Sequence, residues 1–424
     1  AAWYVKAARY LLVPGAGSEA ARTRCAFVST NSITQGEQVG VLWGWLLAQG
    51  MHIQFAHRTF SWSNEARGNA AVHCVIIGFG LQDRPGKLIF EYDDIRGEPH
   101  AVAAANINPY LVDAPDVVLP RRSRPICDVP EIGIGNKPID DGNYLFTPEE
   151  RDAFIAREPA SKKWFRRWLG SVEFLNGYER WCLWLGDCPP AELRAMPEAM
   201  KRVQAVKAFR LASRSAPTQR LASTPTRFHV ENMPTTPYLL IPRVSSERRM
   251  VIPMGYVPGP TLTSDSAHMV TGATTFHFGI LSSTMHNAWA RYTCGRLKSD
   301  YRYSKDIVYN NFPWPESPTD AQRRAIEAAA QGVLDARAQF QTGPTPATLA
   351  DLYDPLTMPA ALLKAHQKLD AAVDKAYEPS GGKKAYKSDA ERVAFLFELY
   401  QRITSLLPVA PQRTRRRRTA AATP

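Results

Sequence analysis

The sequence predicts an α/β segment, then an irregular α+β region, then a small helical module, and three observations carry that division. In the first 115 residues apolar side chains fall into strand-length runs, a stretch of helical spacing, and a run with period two. From about Asp116 prolines punctuate the chain (Pro120, Pro125, Pro130, Pro138, Pro148). Beyond Pro318 alanine-rich amphipathic stretches take over. A chain of 424 residues is long enough for two or three units with separate cores. The expected limits are 1–115, 116–315 and 316–407, with 408–424 a disordered basic tail.

Trp3 to Leu12 reads as the end of a helix. Because the sequence opens at Ala1 without methionine, a truncated record or fragment is expected. Arg24 to Thr30 has strand length, and Gln35 to Gln49 is a helix with apolar positions at Val39, Leu42, Trp43, Leu46 and Leu47. His52 to Phe60 alternates, Ala70 to Phe79 is a buried strand, and Lys87 to Tyr92 is a shorter one. The first two of these strands are close enough to pair as an antiparallel hairpin with Asn64 and Gly68 in its turn. Half a sheet of this kind leaves an open edge.

Thr147-Pro-Glu-Glu150 has the composition of a helix start: a capping threonine, proline at the first helical position, acids in the first turn. Ser161 to Leu169 and Ala191 to Ser213 look helical, as does Phe276 to Ala290 within a region of short strands. Thr319 to Phe340, Pro359 to Tyr377 and Ser388 to Leu407 complete the chain as helices.

Charge is unevenly divided. Residues 1–150 carry 13 basic and 16 acidic side chains, a net −3, whereas residues 151–249 carry 18 and 9, a net +9. Residues 250–412 are balanced at +1, and the tail adds Arg413 and Arg415 to Arg418. Positive charge gathered in one central segment suits a surface that follows a phosphate backbone. The six cysteines form no C-x-x-C and no zinc spacing, so buried free thiols are expected and no metal. No apolar run approaches the roughly 20 residues of a membrane helix, and a cytoplasmic protein is expected.

Several segments together resemble the MmeI-like (Type IIL) restriction–modification family and its class I S-adenosylmethionine-dependent DNA methyltransferase relatives. Phe27-Val-Ser-Thr-Asn-Ser-Ile-Thr-Gln-Gly-Glu-Gln38 looks like the stretch after the catalytic strand, and His57-Arg-Thr-Phe-Ser-Trp-Ser-Asn-Glu-Ala66 with Ala71 to Phe79 like the end of the methyltransferase sheet. Arg180-Trp-Cys-Leu-Trp-Leu185, Cys294 to Ser304 and Tyr309-Asn-Asn-Phe-Pro-Trp-Pro315 look like the target recognition domain. The likeness runs from about residue 1 to 407. It implies the C-terminal half of a Rossmann-like methyltransferase sheet, a recognition domain, duplex DNA as partner, S-adenosyl-L-methionine as cofactor, and adenine N6 as target.

The departures matter equally. The family's glycine-rich cofactor loop and N-P-P-aromatic tetrapeptide are absent: Gly15-Ala-Gly17 follows no strand, and Ile107-Asn-Pro-Tyr110 has one proline and reads as a turn. By resemblance both motifs lie upstream, as would any nuclease, so no catalytic residue is assigned here and this chain alone should lack methyl transfer. The alternative is a non-catalytic DNA-binding specificity module or a truncated gene fragment. An RNA-modifying enzyme would share the same sheet.

Methylating a base in a duplex requires extruding it into a pocket where aromatic rings stack on it. Phe60 and Trp62, ahead of the hairpin turn, can pack on that base or fill core beneath the turn. Asn31 follows a strand directly, where open α/β sheets place ligands, and can line the pocket or cap the next helix. His57 and His73 read as core histidines. In Arg296-Leu-Lys-Ser-Asp-Tyr-Arg-Tyr303, an extended backbone would put Lys298, Asp300 and Arg302 on one face. Basic side chains donate to guanine and aspartate accepts from cytosine, and the resemblance places base choice at these positions. Lys162, Lys163, Arg166, Arg167, Lys201, Arg202, Lys207 and Arg210 are the expected phosphate contacts, which position a duplex without reading it.

Overall fold

The computed structural model describes residues 1–13, 23–62 and 72–405. The Gly15–Gly17 stretch, the expected turn with Asn64 and Gly68, and the basic tail lie outside the described residues.

Five strands form the first sheet: β1 Cys25–Thr30, β2 His52–Trp62, β3 Val72–Gly80, β4 Lys87–Glu91 and β5 His100–Ala104, in the order β1-β3-β2-β4-β5. The expected hairpin is present, β2 running antiparallel to β3. β3 also pairs antiparallel with β1, from Cys25 opposite Phe79 to Thr30 opposite Cys74. β1 and β2 therefore run parallel on either side of β3, joined by the crossover helix Glu37–Ala48. This inserted antiparallel strand is a feature of the mixed α/β fold that alternation alone does not specify. β5, an alanine-rich edge strand absent from the sequence prediction, pairs with β4; its small residues carry little strand preference, and pairing alone makes it a strand.

The apolar stripe of the crossover helix does what its spacing predicts: Val39, Leu42, Trp43 and Leu46 are buried. Trp43 Nε1 donates to Ile33 O at 3.0 Å. Tyr4, on the first helix Ala2–Leu11, stacks on Phe79 at 5.3 Å. Gly78 is required because Phe55 lies across it; a Cβ there would sit 2.1 Å from the ring.

Residues 132–302 build three small sheets. The threonine cap is as read: Thr147 and Glu150 close a capping box on helix Pro148–Arg157. Ser161 to Leu169 is not a helix. Pro159–Trp164 is a 3₁₀ turn and Phe165–Leu169 a strand, paired with Trp181–Leu183 and Leu262–Thr263. Phe165 and Trp168 fit a pleated, half-buried surface better than a helix. Ala191 to Ser213 divides into Pro190–Arg194 and Pro197–Leu211, because Pro197 cannot continue the preceding helix. Phe276 to Ala290 divides at Ser283, whose extended backbone ends Thr275–Ser282 and caps Thr284–Thr293.

Helices Asp320–Phe340, Ala360–Tyr377 and Asp389–Ser405 lie close to their expected positions. Packing does not respect the expected boundaries at 115 and 315. One core runs from Tyr4 through Trp289 to Tyr400, and Trp289 meets Phe397 at 5.1 Å. A second core, including Phe146, Phe165, Trp168 and Phe228, defines a lobe of its own. Among the described residues no helix is long and apolar enough to cross a membrane, and no cluster of metal-binding side chains forms.

Candidate nucleic-acid interface

The loop after β1 meets the Thr293–Gly295 backbone in a close approach that favours glycine. After Thr30 a 3₁₀ turn, Asn31–Thr34, leads to Gly36 at φ +59°. Gly36 N donates to Thr293 O at 3.0 Å, and a Cβ on it would lie 3.1 Å from Gly295 Cα. Left-handed φ is costly for residues bearing a Cβ. Arg121 ties the same junction, pairing with Glu37 at 3.4 Å and Asp306 at 2.8 Å. From β2, Arg58 pairs with Glu91 at 2.7 Å and lies over the Tyr292 ring at 4.3 Å.

These contacts enclose two adjoining cavities. The first, about 310 Å³, lies between Arg58, Thr59 and Tyr92 on one side and Tyr292 and Tyr301 on the other. The second, about 520 Å³, lies between the Ser32–Gln38 loop and Arg243, Arg302 and Lys305. Gln35 and Arg296 line both. The second cavity holds Arg121, Arg243, Arg296, Arg302 and Lys305 against Glu37 and Asp306, an excess of positive charge. Asp306 stays ionised: burial opposes the charge, but Lys305 and Arg121 outweigh it and hold the carboxyl below its usual range. His268, buried at the cavity wall, is pushed down to about 4 by desolvation and by Arg243, so it is neutral at pH 7.

Of the predicted recognition residues only Arg302 lines this cleft; Lys298 and Asp300 belong to the same hairpin but line neither cavity. Gly295–Leu297 and Asp300–Arg302 are two strands of a hairpin, with Leu297 opposite Asp300. Lys298 is at the turn, with φ +57°, so it does not share a strand face with Asp300 and Arg302. The alternation argument failed because it assumed an unbroken strand. Lys298 and Arg302 are exposed and have no ion pair among the described residues. Asp300 accepts a long hydrogen bond from Glu247 N at 3.4 Å.

On β2, next to the cavity-lining Arg58 and Thr59, Phe60 stacks on Tyr92 at 5.5 Å and lies 6.2 Å from Trp62, which ends the strand with 46% of its surface exposed. Asn31 is buried and its Nδ2 reaches Thr59 Oγ1 at 3.5 Å, so it meets the residue beside Phe60. His57 stacks on Phe90 at 4.2 Å and shares a hydrogen bond with Tyr92, a packed position as read. Asn108 Oδ1 accepts from Tyr110 N and Val112 N, which makes Ile107–Tyr110 the turn that its single proline suggested.

The expected phosphate contacts belong to the segments that build the second core, and none of them lines the cleft. Lys162, Lys163 and Arg166 share a shallow concavity there. Lys163 pairs with Glu192 at 2.6 Å, Arg167 with Glu179 at 2.5 Å and Lys201 with Glu198 at 2.6 Å. Arg202 lies over Phe146 at 5.0 Å, and Lys162 and Lys207 are exposed without an ion pair among the described residues.

Arg210 is a correction. It is fully buried, and its guanidinium donates to the carbonyls of Pro138, Ile139, Leu221, Thr224 and Arg227 at 2.8–3.0 Å. A planar five-donor fork satisfies loop carbonyls that no ladder reaches, so this arginine organises loops and cannot meet a phosphate. Sequence reasoning missed Gln35, Arg58, Arg243, Arg296 and Lys305 as cleft residues; Gln35, Arg58 and Arg296 lay inside stretches already singled out, but nothing in their spacing marked them, and Arg243 and Lys305 lay outside.

Three family models match this chain: the DNA-methyltransferase domain of MmeI over residues 1–91, its target recognition domain over 113–316 and its C-terminal domain over 318–408. DNA methyltransferase A of Bacillus subtilis (strain 168) is 40% identical over 404 residues, which is 95% of this chain and 43% of that protein. The solved structure of the Type IIL restriction–modification enzyme MmeI in complex with DNA is 53% identical with a TM-score of 0.85, over 96% of this chain and 52% of that one. The chain thus spans about half the length of the relatives it matches.

Proposed function

Because this chain belongs to the MmeI family of DNA methyltransferases with a target recognition domain, we propose that it works in a site-specific DNA adenine-N6 methyltransferase of a restriction–modification system. It supplies target recognition and one wall of the active site, and it acts in the cytoplasm on double-stranded DNA. The observation that carries this reading is the electropositive cleft between the loop after β1 and the Gly295–Arg302 hairpin. There a duplex held against the hairpin also faces the strand that bears Phe60.

In this reading Phe60 and Trp62 stack on the extruded adenine, with Asn31 fixing the end of β2 beside them through Thr59. Asp300 and Arg302, with Lys298 at the tip, read base edges in the major groove. Lys162, Lys163, Arg166, Arg167, Lys201, Arg202 and Lys207 provide phosphate contacts on the lobe beyond; exposed pairs with nearby carboxylates are weak and exchange readily.

S-adenosyl-L-methionine would supply the methyl group. The described residues offer it no cradle: Ser29 and Asn31, at the end of β1, are engaged with Tyr4 and Thr59, and no glycine-rich turn follows a described strand. We therefore place the cofactor loop and the N-P-P-aromatic tetrapeptide outside residues 1–424. The lack of that tetrapeptide from the sequence favours a second reading, a specificity module without catalysis.

Methylome sequencing of a host carrying the intact gene decides between them. N6-methyladenine at one asymmetric or palindromic site supports the enzyme. Methylation confined to cytosine refutes adenine, and site-selective duplex binding without methylation supports the module.

A further inference from the structure

Among the described residues three buried polar atoms of cleft-lining side chains have no hydrogen-bond partner, Gln35 Oε1, Arg296 Nε and His268 Nδ1, and the first two have opposite character. Gln35 is 8% exposed, and its Oε1 is enclosed without a donor. Arg296 Nε is likewise enclosed without an acceptor, although its Nη1 donates to Ser299 O at 2.9 Å and its guanidinium lies 3.9 Å from the Tyr301 ring centroid. Both side chains line both cavities. A buried acceptor and a buried donor left unsatisfied each carry a desolvation cost. Their backbones are also held: Gly36 is bonded to Thr293 and lies against Gly295, which directly precedes Arg296. The cost is thus built into the junction, and a ligand that offers one donor and one acceptor side by side would relieve it.

Among the major-groove edges of single bases in duplex DNA, only adenine's has that pattern, with the N6 amine as donor and N7 as acceptor. Guanine presents two acceptors there, cytosine a donor, and thymine an acceptor beside a methyl. We propose that Gln35 and Arg296 together read one adenine of the recognition sequence, Gln35 Oε1 accepting from N6 and Arg296 Nε donating to N7. This rests on the duplex-binding reading above. It adds that the loop after β1, outside the recognition hairpin, takes part in specificity.

The test uses the intact protein and the duplex identified by methylome sequencing. Each adenine of the site is replaced in turn by purine, which lacks the amine, or by 7-deazaadenine, which lacks the N7 acceptor. Affinities are measured by fluorescence anisotropy for the wild type, Gln35→Met and Arg296→Met, with Gln35→Ala and Arg296→Ala as substitutes where a methionine variant does not fold.

The expected result is one adenine at which purine weakens wild-type binding about tenfold but leaves Gln35→Met unchanged. At that same adenine, 7-deazaadenine is expected to weaken the wild type and spare Arg296→Met. The slope of log affinity against log salt should not change for Gln35→Met, since no phosphate contact is lost. Equal purine penalties in wild type and variant at every adenine overturn the assignment, as does a site with no adenine that couples to Gln35. If the wild type itself binds the site no better than a scrambled duplex, the DNA-recognition reading fails instead.

Discussion

Replacing Arg210 by methionine separates a structural arginine from a phosphate-binding one. The guanidinium serves five carbonyls, from Pro138 and Ile139 on one side and Leu221, Thr224 and Arg227 on the other. Methionine keeps the packing of the stem, so little cavity cost is added, but all five bonds are lost, and among the described residues only the Leu221 and Thr224 carbonyls keep a backbone donor, from Thr224 N and Arg227 N. At a net of about 1 kcal/mol for each bond, the loss is about 5 kcal/mol, a large part of the roughly 5–15 kcal/mol that holds a typical domain. Urea unfolding followed by tryptophan fluorescence reports on this lobe directly, because Trp164, Trp168, Trp181 and Trp184 pack in or against its core. The expected outcome is a separate, earlier unfolding transition of the lobe. A loss below about 1 kcal/mol, accompanied by weaker DNA binding with a salt slope smaller by about one, would refute the loop-organising role and restore Arg210 as a phosphate contact.

Gly36→Ala should weaken the junction, since a left-handed φ costs a residue with a Cβ about 1–2 kcal/mol and the added carbon meets Gly295 Cα at 3.1 Å. Faster hydrogen exchange at Gly295–Arg302 is the expected sign, and unchanged exchange there would count against the contact. Lys298→Gly should raise stability by about 1 kcal/mol by relieving the positive φ at the turn while reducing the preference for site over scrambled duplex; a variant as selective as wild type rules out a reading role. Acidification should destabilise the protein. His286 and His366 are buried, and desolvation pushes both imidazoles from 6.5 down to about 3. The stability they contribute is complete above 6.5 and is lost as pH falls toward 3, about 2 kcal/mol each by pH 5. Asp374, raised to about 6 by burial, works in the opposite sense between about 4 and 6 and returns part of that loss. Urea midpoints at pH 7 and pH 5 measure the balance, and His366→Gln should fall less between them than wild type; an equal fall defeats the assignment.

Local chemistry carried much of the fold. Thr147, Pro148 and Glu150 announced a helix start, since a cap is satisfied within four residues and needs no distant partner. Thr319 closes the same kind of box with Gln322, a cap the sequence reading did not name although it placed the helix there. The crossover helix was legible because Val39, Leu42, Trp43 and Leu46 lie on one face at helical spacing. The recognition segment was found by its resemblance, but its backbone was misread: Lys298 sits at a turn whose left-handed φ lysine does not advertise. Phe165–Leu169 became a strand because Trp181–Leu183 and Leu262–Thr263 were there to pair with it.

The sequence by itself determined where most helices start, which faces they bury, the antiparallel β2–β3 pair, and the family to which the chain belongs. Tertiary structure alone decided that β3 lies between β1 and β2, that Arg210 serves carbonyls instead of phosphates, and that Gln35 and Arg296 meet one cleft from positions more than 250 residues apart. The physical reason is range. Caps and amphipathic stripes are satisfied by neighbours along the chain, whereas strand pairing, buried charge and the lining of a cavity depend on partners that only folding brings together.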